Sequence, residues 1–181
     1  MSSEEKSKLL EQFYIEYNNE NYTAAKELLE TIKAQEKKTS FWIYSRLSSC
    51  YYELRNYNIA FEYAKKAYKL QPWSPLVLWD YAGVLIMLDK EKRAIELLLR
   101  IQSMEDDLTI YGFSHPEIKW MKSFKLDSNF LIGRAYYQIN QDRFAKEYLL
   151  KYLAQRKQGL RSIYKKADVV KYLKKLEKAD S

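Results

Sequence analysis

The sequence predicts an all-α protein built from stacked pairs of helices. The first observation is a repeat, because small and apolar residues recur at an interval of about 34 residues along much of the chain. The second is composition, since the 181 residues include only four Gly and three Pro, the residue types that interrupt helices. A repeated helix pair cannot bury its apolar face alone and must stack with its copies. We therefore expect a single domain over residues 1–181.

The repeat rests on three copies of one pattern. Its second helix has the spacing A-x3-A-x2-A-x4-P, formed by Ala60, Ala64, Ala67 and Pro72. The counterparts in the next copy are Ala94, Leu98 and Ile101, and a third copy has Ala145, Leu149 and Tyr152. The first helix of the pair has Tyr44, Leu47, Ser48 and Tyr51, which recur as Leu78, Tyr81, Ala82 and Leu85, and then as Ile132, Gly133 and Tyr136.

Small residues mark the place where the two helices of each pair are expected to cross. They are Ser48, Ala82 and Gly133 on the first helices, and Ala60, Ala94 and Ala145 on the second helices. A bulky side chain at either place would push the helices apart and leave voids in a core that should be close-packed. Pro72 cannot continue a helix, so it ends the first complete pair.

This pattern resembles the tetratricopeptide repeat (TPR), a helix–turn–helix unit of about 34 residues. The resemblance implies a right-handed α-solenoid with repeats at 41–74, 75–108 and 126–159. Residues 1–40 are expected to form a degenerate fourth repeat, in which Phe13 or Tyr14 stands where a small residue is usual. Terminal repeats are commonly atypical because one of their faces meets solvent.

An insertion separates the second and third clear repeats. The step from Ala94 to Ala145 is one and a half repeat lengths rather than one, so we place an insertion at residues 109–125. Within it the run 114–117, Ser-His-Pro-Glu, has the N-cap and first-turn residues of a helix start. We therefore expect the first helix of the third repeat to be lengthened at its N-terminus. Its added apolar side chains, which include Trp120 and Phe124, either pack locally or form a lip on a binding surface.

The C-terminal segment 160–181 is basic and amphipathic. Residues 156–181 carry a net charge of +6, which is most of the net +7 of the chain. Apolar residues recur at helical spacing beside the lysines, namely Leu160, Ile163, Tyr164, Val169, Val170, Leu173 and Leu176. We expect the segment to form a helix that caps the last repeat. The alternative is that its basic side chains bind RNA or another anionic partner, although a lysine-rich outer face is usually only solvated. Those side chains are Arg161, Lys165, Lys166, Lys171, Lys174, Lys175 and Lys178.

The residues for catalysis and metal binding are scarce. One His and one Cys cannot supply the three or four clustered ligands of a metal site, and His115 lies in a predicted helix start. Cys50 falls beside the packing positions of a first helix, where a buried structural thiol is expected. The four glycines are isolated, so no phosphate-binding loop is indicated. We expect no enzyme activity and no cofactor.

Two further features bear on location. No run approaches the roughly 18 consecutive apolar residues of a membrane span, and the N-terminus lacks the basic and apolar regions of a signal peptide. A single cysteine fits a reducing compartment. These features favour a cytoplasmic protein.

The resemblance to TPR proteins implies that the first helices line a concave groove. The residues expected to face it are Trp42, Ser45, Ser49 and Tyr52 in the first clear repeat, Leu76, Trp79, Gly83, Ile86 and Met87 in the second, and Phe130, Arg134 and Tyr137 in the third. This groove would be aromatic, with Arg134 as its main charge. Trp, Tyr, Met and Arg are enriched at interface centres. We expect a non-catalytic scaffold that binds a peptide or helical segment of another protein. The alternative is that the groove is filled by the C-terminal helix or by a second copy in a homo-oligomer.

Overall fold

The computed structural model describes residues 1–106 and 115–179, with only the main chain at 115–120 and 179. These residues form nine α-helices and no strand. The helices are α1 Ser3–Asn18, α2 Tyr22–Gln35, α3 Phe41–Glu53, α4 Tyr57–Leu70, α5 Pro75–Met87, α6 Glu91–Ser103, α7 His115–Gln138, α8 Asp142–Lys157 and α9 Lys166–Ala179. The predicted all-α fold is confirmed.

The chain divides into two compact units, residues 1–88 (unit 1) and 89–181 (unit 2). Unit 1 contains α1 to α5, and the described part of unit 2 contains α6 to α9. That the whole chain forms one domain stays a prediction.

Most helix starts in unit 1 have a capping side chain. Ser40 and Ser74 accept hydrogen bonds from the main-chain nitrogens of Ile43 and Val77, three residues further on. At the N-terminus Ser2 and Glu5 form a capping box. A serine N-cap satisfies one of the main-chain donors that the first turn of a helix leaves without a partner.

The turns that follow first helices use a left-handed main-chain conformation without glycine. Glu20, Arg55, Asp89 and Asn140 have φ between 53° and 61°. They lie at equivalent places in successive copies of the repeat. In the turn of Arg55, the nitrogen of Asn56 donates to the carbonyl oxygen of Tyr51 at 2.8 Å. This bond satisfies a carbonyl group at the end of α3, as in a Schellman motif.

Unit 1 buries a core between its two helix pairs. Phe13 stands where a small residue is usual and is fully buried, with Leu29, Ile32, Ile43 and Leu47 around it. In the second pair the hydroxyl of Ser48 donates to the carbonyl oxygen of Ala60 at 2.9 Å. The predicted close crossing of α3 and α4 is therefore present. Helix α5 packs against both α3 and α4.

Unit 2 has its tightest crossing between α7 and α8. A methyl group built on Gly133 would lie 2.8 Å from Cγ of Leu149 and 3.1 Å from the carbonyl oxygen of Ala145. The prediction that a small residue is needed here is confirmed. Helix α7 begins at His115, so the first helix is lengthened as predicted, although Ser114 and the side chain of Trp120 lie outside the described residues. In the extension Met121 is fully buried.

The C-terminal tail, which begins at Leu160 and includes α9, packs on the last helix pair, α7 and α8. Helix α9 contacts α8 and α7, and its Val169 and Leu176 are buried. The predicted apolar stripe is only partly correct, because Val170 is exposed and Ile163 is 74% exposed. Ile163 precedes α9, which begins at Lys166, so helical spacing does not govern where its side chain points.

Candidate functional site

The first helices of unit 1 present one continuous face, because side chains connect α1, α3 and α5. The ring of Tyr14 on α1 lies 6.0 Å from that of Trp42 on α3. Arg46 on α3 contacts Asp80 on α5. We call the set Tyr14, Tyr17, Trp42, Arg46 and Asp80 the first-helix face.

The aromatic part of this face is anchored in the core and partly open to solvent. Trp42 makes an edge-on contact with the buried Phe13, with ring centroids 5.7 Å apart and planes at 82°. Tyr14 is 50% exposed although its ring centroid lies only 5.2 Å from that of Phe13. Burial raises the pKa of Tyr17, so its hydroxyl stays protonated. Packing on Phe13 thus holds the rings of Tyr14 and Trp42 in place.

The polar part is a nearly buried ion pair. Nη2 of Arg46 lies 3.1 Å from Oδ2 of Asp80, and the two side chains are 17% and 10% exposed. The hydroxyl of Ser45 donates to the same oxygen at 2.5 Å. Burial raises the pKa of Asp80, while the charge of Arg46 and the hydroxyls of Ser45 and Ser49 act in the opposite direction. The Nε atom of Arg46 is buried without a hydrogen-bond partner among the described residues.

Several predicted groove residues of unit 1 lie in its interior. Ser45, Ser49, Leu76 and Ile86 are buried. The others are partly exposed, namely Trp42, Tyr52, Trp79, Gly83 and Met87.

Arg46 and Asp80 were not among the sequence-predicted site residues. Each follows directly after a residue of the predicted stripe, Ser45 or Trp79. They also stand one repeat length apart, at the same position of successive repeats, with opposite charges. Opposite charges at one repeat position on neighbouring first helices are the signal that would have indicated this pair.

In unit 2 the tail covers the predicted groove residues of α7. The ring of Phe130 lies 4.5 Å from that of Tyr164 and 6.1 Å from that of Tyr172, and Phe130 is buried. Tyr137 also meets Tyr172, with ring centroids 5.2 Å apart. Arg134 remains partly exposed. The side chains of the tail therefore occupy the surface that Phe130 would otherwise offer.

The tail is held by polar contacts as well. The hydroxyl of Tyr152 donates to the carbonyl oxygen of Tyr164 at 2.7 Å, and the nitrogen of Ile163 donates to Oδ2 of Asp127 at 3.3 Å. Burial raises the pKa of Asp127 to about 6, against the opposing effects of Ser162, the main chain of Ile163 and Arg156. Oδ1 of Asp127 is buried with no hydrogen-bond partner among the described residues.

The basic residues of the tail point to solvent. All seven are exposed, from Arg161 to Lys178. Lys171 pairs with Asp168 at 3.4 Å, and Nζ of Lys175 lies 5.8 Å from the ring centroid of Tyr172. The buried side of α9 is apolar and its outer side is cationic.

The described residues show neither a metal-ligand cluster nor a reactive thiol. Within 1–106 and 115–179 no three His, Cys, Asp or Glu side chains are grouped as metal ligands would be. Cys50 is buried, and burial raises the pKa of its thiol to about 12, which keeps it protonated. Among the described helices, none has the length and apolar character needed to cross a membrane.

Comparisons with known proteins identify the fold. No protein-family model matches the sequence, and neither does any curated protein. A crystal structure of MamA is 18% identical and aligns with a TM-score of 0.62 over 85% of this chain and 80% of that one. The TPR-like repeats of a putative kinesin light chain from Podosopora anserina are 19% identical, with a TM-score of 0.65 over 96% and 85%.

The apo form of RapI is 16% identical, with a TM-score of 0.73 over 97% of this chain. Only 64% of RapI is covered, so the chain spans less than two thirds of that protein. At these identities the similarity establishes the architecture. The chain therefore has the tetratricopeptide-repeat fold that its repeat spacing predicts.

Proposed function

We propose that the protein is a non-catalytic interaction scaffold, and that the first-helix face of unit 1 binds a peptide or helical segment of another protein. The observation that supports this most directly is the half-exposed Tyr14 beside Trp42, next to the Arg46–Asp80 pair. Tyr, Trp and Arg are the residue types that most often dominate binding energy. Rings already fixed by packing lose little conformational entropy when a partner docks on them.

This proposal assigns partner contacts to fewer residues than the twelve that the sequence predicts for the groove. Ser45 and Ser49 act by holding Asp80 beside Arg46 rather than by contacting the partner. Trp42 and Trp79 remain candidate contacts, while the tail side chains around Phe130 leave that ring no room for a partner. The role of Arg134 in orienting an acidic group stays a prediction.

The test starts from peptides selected from a random displayed library on the immobilised 181-residue chain. Their affinities are then measured for the parent, for Tyr14→Ala and for Ile59→Ala. Ile59 is a matched control because it is 45% exposed but lies on a second helix, α4. We expect Tyr14→Ala to weaken binding about thirtyfold, the effect of a contact of about 2 kcal/mol. Equal affinity for all three proteins would contradict the proposal.

The exposed cationic side of α9 supports a second candidate, binding of RNA or an acidic partner. Phosphate binding by lysines weakens steeply with salt. Fluorescence anisotropy with a single-stranded RNA, at increasing salt, would measure this for the parent and for Lys174→Glu. Affinity that falls with salt and is lost in Lys174→Glu would favour this candidate over the first-helix face.

A further inference from the structure

A stack of three tyrosine rings from α3 and α4 lies against α2 in unit 1, where Lys33 contacts the hydroxyl of Tyr63 at 2.7 Å. The ring of Tyr63 is stacked between those of Tyr44 and Tyr51, with centroid distances of 6.1 and 5.5 Å and interplanar angles of 29° and 13°. Nζ of Lys66 lies 5.1 Å from the centroid of Tyr63 and 5.8 Å from that of Tyr44. The lysine therefore lies close to both rings, where a cation–π attraction operates.

Unit 2 repeats part of this stack at equivalent positions. Tyr136 and Tyr148 occupy the repeat positions of Tyr51 and Tyr63, and their rings lie 5.9 Å apart at 30°. Lys151 corresponds to Lys66, and its Nζ lies 4.6 Å from the centroid of Tyr148. The third ring is missing, because the position of Tyr44 is occupied by an asparagine, Asn129.

A hollow of about 380 Å³ lies at this place in unit 2. It is lined by Gln102, Asn129, Tyr148, Lys151, Ala154 and Gln155. Asn129 is too short to cover the ring of Tyr148, and its amide nitrogen donates instead to Oε1 of Gln155 at 2.9 Å. The hollow thus combines an aromatic wall, three carboxamide groups and the ammonium group of Lys151, which also pairs with Oε1 of Glu147 at 2.7 Å.

We propose that this hollow binds a tyrosine side chain of a partner polypeptide. The occupant is inferred from unit 1, where the ring of Tyr44 fills the equivalent place against the same tyrosine and lysine. A phenol ring would stack on Tyr148 beside Lys151, and the carboxamides could hydrogen-bond its hydroxyl. The volume, at the small end of ligand pockets, leaves ample room for one phenol ring. The site lies on α6, α7 and α8, so it does not depend on the first-helix face.

Binding is tested with p-cresol, the tyrosine side-chain analogue, and with N-acetyl-tyrosinamide and N-acetyl-leucinamide. NMR titration of the full chain follows the side-chain amide signals of Gln102, Asn129 and Gln155. We expect both phenols to shift these signals, and the tyrosine compound to bind about two- to twelvefold more tightly than the leucine compound, as an added aromatic contact provides. No shift, or equal affinity for leucine, would overturn the proposal. Binding of p-cresol without the tyrosine compound would refute the polypeptide occupant.

Two variants, Asn129→Tyr and Ala154→Phe, should fill the hollow, and a third, Tyr44→Asn, should open the equivalent place in unit 1. Asn129→Tyr should restore the third ring and abolish the shifts. Ala154→Phe fills the hollow from an exposed position of α8, so it keeps the test valid if Asn129→Tyr fails to fold. Conversely, Tyr44→Asn should create a second phenol site, read from new shifts in the ring signals of Tyr63. Shifts that persist in a folded filled variant, or a Tyr44→Asn protein without the second site, would contradict the assignment.

Discussion

Gly133→Ala tests the closest crossing in unit 2. In a helix interior this change normally stabilises by up to about 1 kcal/mol, because alanine has the better helix propensity. Here the new methyl group would lie 2.8 Å from Cγ and 3.0 Å from Cδ2 of Leu149. Leu149 is fully buried, so it cannot turn out into solvent. Overpacking of this kind costs about 1–3 kcal/mol.

Gly83→Ala is the matched control in unit 1. Gly83 also lies within a helix, α5, but a methyl group there meets its nearest neighbour, Cε2 of Tyr52, at 3.9 Å. This variant should therefore benefit from the higher helix propensity of alanine without a clash, and its free energy of unfolding should rise by about 0.5–1 kcal/mol. The free energy of unfolding of Gly133→Ala should be about 1–3 kcal/mol lower than that of Gly83→Ala, because only Gly133→Ala causes overpacking.

Urea denaturation followed by circular dichroism gives both free energies of unfolding. Comparable m-values for the two variants would show that the denatured states are similar. If Gly133→Ala were stabilised as much as Gly83→Ala, the close contact of α7 with α8 would be refuted. The assignment of small residues to helix crossings would then lose its strongest instance.

The other predictions concern buried charges and the tail. Burial raises the pKa of folded Asp127 to about 6 from about 3.9 unfolded, so the folded state binds more protons between these values. The contribution of Asp127 to the free energy of unfolding should fall by on the order of 2–3 kcal/mol from pH 4 to pH 7. The parent should therefore lose that much more stability than Asp127→Asn when urea melts are compared at the two pH values. Arg46→Met should destabilise by about 3 kcal/mol because the Asp80 carboxylate is left unpaired, and the double variant Arg46→Met/Asp80→Leu should recover most of it in thermal melts. Leu176→Asp should release α9 and increase binding of a hydrophobic dye, whereas the exposed Lys174→Asp should not; equal dye binding would contradict the packing of the tail.

The fold could be predicted from sequence because its determinants repeat. Close crossings need small residues at fixed intervals, and Ser48 with Ala60 and Gly133 with Leu149 meet as that spacing requires. The lengthened α7 was also predictable, since a helix start is encoded locally. The left-handed turns could not be predicted, because Arg55 and its equivalents adopt a positive φ without the glycine that usually indicates this conformation.

The candidate site was less predictable because it depends on which side of a helix faces the next one. Successive residues point about 100° apart on a helix, so an error of one position turns a contact residue into a buried one. Ser45 is fully buried against Asp80, whereas Arg46, one residue later, contacts the same carboxylate and keeps 17% of its side chain exposed. Similarly Val169 is buried and Val170 exposed in α9. Helical spacing alone cannot make this distinction until the partner helix is placed.

Features that distinguish one repeat from another arise where equivalent positions hold different residues. Arg46 and Asp80 share a repeat position, and their opposite charges join α3 to α5 by an ion pair. Tyr44 and Asn129 also share a position, and the first fills a place that the second leaves open. Neither is one of the small residues at the helix crossings, although Asn129 is only 3% exposed. In the two binding proposals, recognition depends on such positions, whereas the repeated small-residue contacts keep the helices in register.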